Sequence, residues 1–301
     1  MTQPTQRSVA TAVPGHTANW GYLAALTPVI FGTTYLLTTE FLPPDRPLLA
    51  ATMRSLPTGL VLIIGSKLPP PGWRLRFAIL SMLYSSAFFP LHFVAAYRLP
   101  GGVASVINSL TPIIVVILSV PWLGRPIRSI QLVAGLLGVA GVALLVLRSD
   151  ARLDLLGILA MTLAVIMMGV ATVLTKRWGQ PPGMSTTAFA GWTFLIGGLT
   201  LLPFTLAVEG IPTQVTGRNV AGLIYLVLIS GILAYGLWFW GLHRLPASSI
   251  TFLSLINPVA AAVLGWWVLD QRLNGWQILG AAVVLVSVVL GQDLPLRRRR
   301  D

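Results

Sequence analysis

The chain has no cysteine among its 301 residues. That excludes disulfides, thiolate metal sites and cysteine nucleophiles. Charge is scarce as well. Only 9% of residues are Asp, Glu, Lys or Arg, against about 25% in an ordinary soluble domain. So little charge cannot cover a water-facing surface. Eight carboxylates and three histidines, widely scattered, leave little for a metal site, and no cofactor is expected. There is no Walker A run, so ATP does not drive this chain directly. Neither a GxSxG elbow nor an HExxH helix occurs. A membrane enzyme acting on lipid would need clustered acids or histidines, and the sequence has none. The chain reads as a non-enzyme.

What is present is apolar. Fifty-five percent of residues are hydrophobic and the mean hydropathy is +0.82. A helix needs about 20 mostly apolar residues to cross a bilayer. Ten such runs are predicted: 20–38, 47–65, 76–96, 101–121, 128–147, 155–175, 185–206, 219–241, 247–269 and 275–292. The fold class is therefore an all-α polytopic membrane protein. Residues 1–18 are polar, read as a flexible cytoplasmic tail and not as a signal peptide. Residues 294–301 form a basic cytoplasmic tail.

The net charge of +12 fits basic cytoplasmic loops better than nucleic-acid binding. With a cytoplasmic N-terminus, 13 Lys and Arg fall inside, from Arg7 and Lys67 to Arg297–Arg300, and 6 fall outside. Six acids fall on outer loops and only Asp293 and Asp301 inside. The positive-inside rule then places both termini in the cytoplasm. Nine tryptophans, Trp238 among them, read as interfacial belt residues. Trp192 is the exception, ~10 Å into its span at the helical rise.

The chain also resembles itself at a shift of 146. Arg98-Leu99-Pro100 returns as Arg244-Leu245-Pro246, Leu91 and Phe93 as Leu237 and Phe239, Pro112 as Pro258, and Gln131 as Gln277. A five-span unit is implied, with residues 19–148 as the first repeat and 149–293 as the second. Five is odd, so the second copy is inverted in the bilayer. Inverted repeats are a recurring transporter architecture, with cargo held near the midplane where the halves meet.

These features resemble the EamA-type transporters of the drug/metabolite transporter superfamily, particularly the amino-acid exporter branch. The residues that carry the resemblance are Phe31-Gly32-Thr33-Thr34-Tyr35, Arg54, Arg98-Leu99-Pro100 through Thr111-Pro112, Arg244-Leu245-Pro246 through Asn257-Pro258, and Leu269-Asp270-Gln271-Arg272-Leu273. The family often carries Leu-Gly-Glu-Arg-Leu after spans four and nine. Here the glutamate positions hold Arg125 and Gln271, so no role is carried over from that glutamate. The resemblance implies ten helices, two inverted halves and efflux of small metabolites.

Polar groups inside hydrocarbon are costly and mark candidate sites. Arg54 lies seven residues inside its span, ~10 Å deep, where it either snorkels outward or attracts a carboxylate. His92 is either a bonded structural histidine or a proton carrier. Asn108, Thr111 and Pro112 on span four are matched by Ser254, Asn257 and Pro258 on span nine. Proline frees the carbonyl one turn earlier. Helix neighbours can take that carbonyl, or the kinks can line a wet cavity. Tyr35, Tyr84, Phe88, Phe89, Trp192, Tyr235 and Phe239 are the aromatic candidates, for packing or, with Thr33, Thr34, Ser85 and Ser86, for a selectivity surface.

The resulting expectation is an exporter of amino acids or related small metabolites in the cytoplasmic membrane, working by alternating access. No carboxylate lies deep in a span, so flux runs downhill unless His92 carries protons. A carrier for nucleotide sugars or lipid-linked metabolites is the alternative, and a channel is disfavoured by the repeat. The expected partners are a small-molecule substrate and membrane lipid, with no nucleic acid, and the chain acting as a monomer or weak homodimer.

Overall fold

A computed structural model of the chain describes residues 17–146, 154–212, 214–268 and 274–292, without the side chains of 17–22, 35, 265, 267 and 268. Most of both tails, the Leu269–Leu273 motif and the side chain of Tyr35 lie outside this description. The described residues are helical throughout, with no strand. The helices are α1 (Thr17–Gly32), α2 (Thr34–Phe41), α3 (Pro47–Leu62), α4 (Arg74–Ser81), α5 (Phe88–Arg98), α6 (Gly101–Asn108), α7 (Thr111–Leu123) and α8 (Ser129–Val146). There follow α9 (Leu155–Trp178), α10 (Thr186–Val208), α11 (Gly217–Val227), α12 (Ala234–Arg244), α13 (Ala247–Leu253), α14 (Ile256–Val268) and α15 (Gly275–Gly291). Among the described residues, seven helical stretches are long and apolar enough to cross a membrane. Leu23–Gly32 and Gly275–Gly291 are shorter apolar helices.

The surface is that of a protein in oil. Leu136 and Phe204 are each 64% exposed and Val289 is 63% exposed, each on the outside of a long apolar helix. The interior is aromatic, with Phe77, Tyr84, Phe89, Phe93, Phe189, Phe194 and Phe239 shut off from solvent. Several buried hydroxyls return their protons to their own helices. Ser55 donates to the Ala51 carbonyl, Thr193 to Phe189 and Thr251 to Ala247, which satisfies these donors inside the apolar core; Thr27, Thr58 and Ser81 are buried hydroxyls without such a partner.

Several helices are broken, and the breaks recur. Between α6 and α7 the helix relaxes around Ser109 and Leu110, and between α13 and α14 around Ser254 and Leu255. Pro112 and Pro258 cause both breaks, since neither can bond the carbonyl one turn back. A π-helical turn joins α4 to α5 at Met82–Ser86, and another joins α11 to α12 at Leu228–Leu233. Neither π turn is legible in the hydropathy. The first span is also interrupted, at Thr33, whose hydroxyl takes the Ile30 carbonyl at 2.7 Å. The starts of α5 and α12 are 146 residues apart, as are the two π turns and the starts of α6 and α13.

Packing is reciprocal. α9 lies against α5 and α7, and α1 lies against α12 and α14. α3 pairs with α10 and α8 with α15, the two most extensive pairings in the molecule. Both run antiparallel. Gly59 faces Leu195 while Gly198 faces Leu56, and Gly141 faces Val284 while Gly280 faces Leu145. Glycine at these crossings lets backbones meet, which drives helix association in lipid.

The start of α3 is capped from far away. Glu209 accepts hydrogen bonds from the Leu48 and Leu49 amides, both at 2.7 Å. Arg46 donates to the Glu209 carbonyl at 2.7 Å. The carboxylate thus satisfies two of the free donors of a helix start and faces its positive end. Glu209→Gln keeps one acceptor oxygen and loses the charge. It is expected to destabilise the protein by about 1–2 kcal/mol, seen as a lower melting temperature in detergent. An unchanged melting temperature would show the cap to be dispensable.

Candidate functional site

Arg54 is the centre of the site. It is 3% exposed and sits on the inward face of α3, between α1, α5 and α12. Its Nη2 donates to Ser230 Oγ at 2.7 Å and to the Ser230 carbonyl at 3.4 Å. Three rings surround the guanidinium, with Cζ 5.3 Å from the Phe31 centroid, 5.1 Å from Phe89 and 5.3 Å from Tyr235. A ring face attracts a cation through its quadrupole. The second π turn explains Ser230, since the extra residue in the turn presents both its hydroxyl and its loosened carbonyl to α3. π turns often mark functional sites for this reason.

Among the described residues Arg54 has no carboxylate partner, and its buried Nε has no hydrogen-bond partner. Removing a cation from water costs several kcal/mol. The serine and the ring faces offset part of that cost. The guanidinium therefore keeps unmet capacity for an anion.

A cavity of about 70 Å³ opens beside it, room for several water molecules. Its wall joins Arg54, Tyr235, Phe31 and Thr34 to Phe88 and His92 on α5, with Pro28, Met168 and Trp238 completing the apolar part. The two helix breaks supply the rest: Asn108 and Thr111 from one, Ser254 and Asn257 from the other. Nine residues singled out in the sequence thus meet at one cavity: Thr34, Arg54, Phe88, His92, Asn108, Thr111, Tyr235, Ser254 and Asn257.

The carbonyls freed by the prolines are already bonded. The Asn108 carbonyl accepts from Thr111 Oγ1 at 2.7 Å, and the Ser254 carbonyl accepts from the Asn257 amide at 3.1 Å. What the breaks offer the cavity is side chains. Ser254 Oγ donates to the Thr251 carbonyl at 2.6 Å, so it and Thr111 Oγ1 have committed their protons and present lone pairs. The side-chain amides of Asn108 and Asn257 make no hydrogen bond to the protein among the described residues.

The other candidates lie elsewhere. Tyr84 and Phe239 pack ring on ring at 5.0 Å, and Phe239 packs on Phe189 at 5.8 Å. They form the aromatic layer behind the cavity. Pro112 and Pro258 are buried in the breaks they cause. Trp192 donates to the Lys67 carbonyl at 3.1 Å, so it reaches the loop before α4 and not the midspan. Trp238, expected in an interfacial belt, is 4% exposed and lines the cavity. His92 stacks on Phe88 at 5.5 Å and makes no hydrogen bond to the protein.

Sequence reasoning missed Ser230 and Trp238, and named Phe31 only within the family resemblance. Thr111 was among the candidates, and the shift of 146 sets it on Asn257. No local signal marks Ser230, whose counterpart at that shift is Tyr84.

No nucleophile with an adjacent base occurs at the cavity, and no cluster of three or more metal-ligating side chains occurs among the described residues. The arrangement offers one charge and several hydrogen-bonding groups inside apolar walls.

Comparison with known proteins gives two matches to one family model, described as the EamA-like transporter family, over residues 19–147 and 155–291. The chain is 42% identical over 273 residues to Protein PecM of Dickeya dadantii, covering 91% of this chain and 92% of that protein. It is 23% identical over 280 residues to a probable amino-acid metabolite efflux pump of Escherichia coli, covering 90% and 93%. A crystal structure 19% identical in sequence superposes with a TM-score of 0.73 over 90% of this chain and 94% of that one, which shows a shared fold.

Proposed function

This chain belongs to the EamA-like transporter family, and from that premise we propose that it exports small metabolites, amino acids and their relatives, across the cytoplasmic membrane by alternating access. One observation carries the reading. A buried guanidinium without a carboxylate partner faces a cavity built where two matched helices break. The name of the Escherichia coli relative, a probable amino-acid metabolite efflux pump, supports amino-acid cargo.

The architecture we propose is ten crossings in two inverted five-helix halves, residues 19–148 and 149–293. Four findings support it: the double family match, the recurrence of breaks and π turns, the reciprocal packing, and the antiparallel pairing of α3 with α10 and α8 with α15. Both termini are placed in the cytoplasm by the Lys and Arg asymmetry. The opposite end of the bundle is then extracellular, and there the two halves are tied together. Arg98 pairs with Asp154 at 3.2 Å, Arg218 with Glu40 at 3.0 Å, and Glu209 caps α3. The cytoplasmic end has no carboxylate among the described residues. Breaking the outer ties is the step that opens the cavity outward. Flux runs downhill in this scheme, so vesicles without a pH gradient should transport.

Cysteine accessibility tests the cavity, and the chain has no native cysteine to give background. Asn108→Cys and Asn257→Cys should react with a small water-soluble thiol reagent, and cargo should slow both reactions. Inertness at both positions, with and without cargo, would remove the central wet path.

A further inference from the structure

We propose that the cargo is carried as a net anion: a small carboxylate whose nitrogen, where it has one, is uncharged, as in an N-acylated amino acid. The inference deepens the exporter reading and rests on the cavity being the cargo site. The charge in that cavity is one-sided. Arg54 is buried, has an unpartnered Nε, and is held between Phe31, Phe89 and Tyr235. A fixed planar fork of this kind matches a carboxylate in two parallel hydrogen bonds.

No negative charge in the wall balances a cargo cation. None of the lining residues is a carboxylate, and all eight acids of the chain lie in the loops, the tails or at span ends. A zwitterion would neutralise Arg54 with its carboxylate and then leave its ammonium uncompensated a few ångströms away. In a medium of low dielectric that residual charge is costly. An uncharged N–H suits the same place. Thr111 Oγ1 and Ser254 Oγ present lone pairs, because each has given its proton to a backbone carbonyl. The amides of Asn108 and Asn257 complete a neutral hydrogen-bonding wall. Phe88, Met168 and Trp238 leave the body of the cargo an apolar surface.

The test uses one scaffold in three charge states: N-acetyl-leucine, leucine and leucinamide. Binding to the full chain in nanodiscs is measured by calorimetry, and exchange of labelled cargo is measured in proteoliposomes. N-acetyl-leucine should bind at least tenfold more tightly than leucine, and leucinamide should not bind. Arg54→Gln should abolish the ranking, whereas Arg54→Lys should preserve the order with every affinity weakened. Leucine binding and exchanging as well as N-acetyl-leucine would overturn the charge preference and leave the exporter reading standing. An unchanged ranking in Arg54→Gln would overturn the assignment to Arg54. Failure of all three to bind and exchange would overturn both.

Discussion

Arg54→Gln is expected to weaken cargo binding by about 10- to 150-fold, while the protein stays monodisperse and as stable as before. The magnitude follows from a hydrogen bond to a charged group, worth about 1.5–3 kcal/mol, at about 1.4 kcal/mol per tenfold. The stability half of the prediction separates a working arginine from a structural one. Glutamine loses the bond to Ser230 and three ring contacts, each worth about 0.5–2 kcal/mol. It also removes a buried cation whose desolvation cost is several kcal/mol. The two effects oppose each other. Proteoliposome flux alongside a melting curve reads both. A variant that transports normally would return Arg54 to a packing role, and one that unfolds would make it a structural pillar.

Gly198→Val is expected to destabilise the protein by about 3 kcal/mol or more, and to yield aggregated material on size-exclusion chromatography. Gly198 stands where α10 crosses α3. A Cβ there would meet the Leu56 Cα and amide nitrogen, both at 2.6 Å. These are backbone atoms and cannot rotate aside. The α3–α10 pair would have to separate, and with it the face that carries Arg54. Gly236→Ala is the control. Gly236 is also helical, but a Cβ there meets nothing within 4 Å. That change should be neutral, or stabilise by up to about 1 kcal/mol through helix propensity. Equal melting temperatures for wild type and Gly198→Val would show that the close crossing contributes nothing.

Both predictions turn on features of different legibility. Arg54 was visible from sequence because a lone cation inside an apolar run violates the cost of burying charge. Which glycines at the crossing face a backbone is visible only in the packed structure. Asn108, Ser254 and Asn257 were found through the repeated prolines. The prolines betrayed the breaks, although the freed carbonyls turned out to be bonded within their own helices. His92 and Tyr235, candidates on separate spans, line one cavity with Arg54. Trp192 was set too deep and Trp238 too shallow, because counting residues along a helix gives depth but not the direction of a long side chain.

Hydropathy, proline positions and the shift of 146 were sufficient by themselves to determine that the chain lives in lipid, where its helices run and where two of them break. These are local properties, fixed by the need of every backbone amide in hydrocarbon to be bonded within its own helix. Tertiary structure alone decided which face of each helix turns inward. Helices such as α8 and α10 are apolar nearly all round, so no amphipathic stripe marks their buried side. The rings of Phe31, Phe89 and Tyr235 around Arg54, the π-turn serine that holds it, and the reach of Glu209 to α3 all depend on that choice. It is made by close packing between helices, a contact between residues far apart in sequence that leaves no periodic trace along the chain.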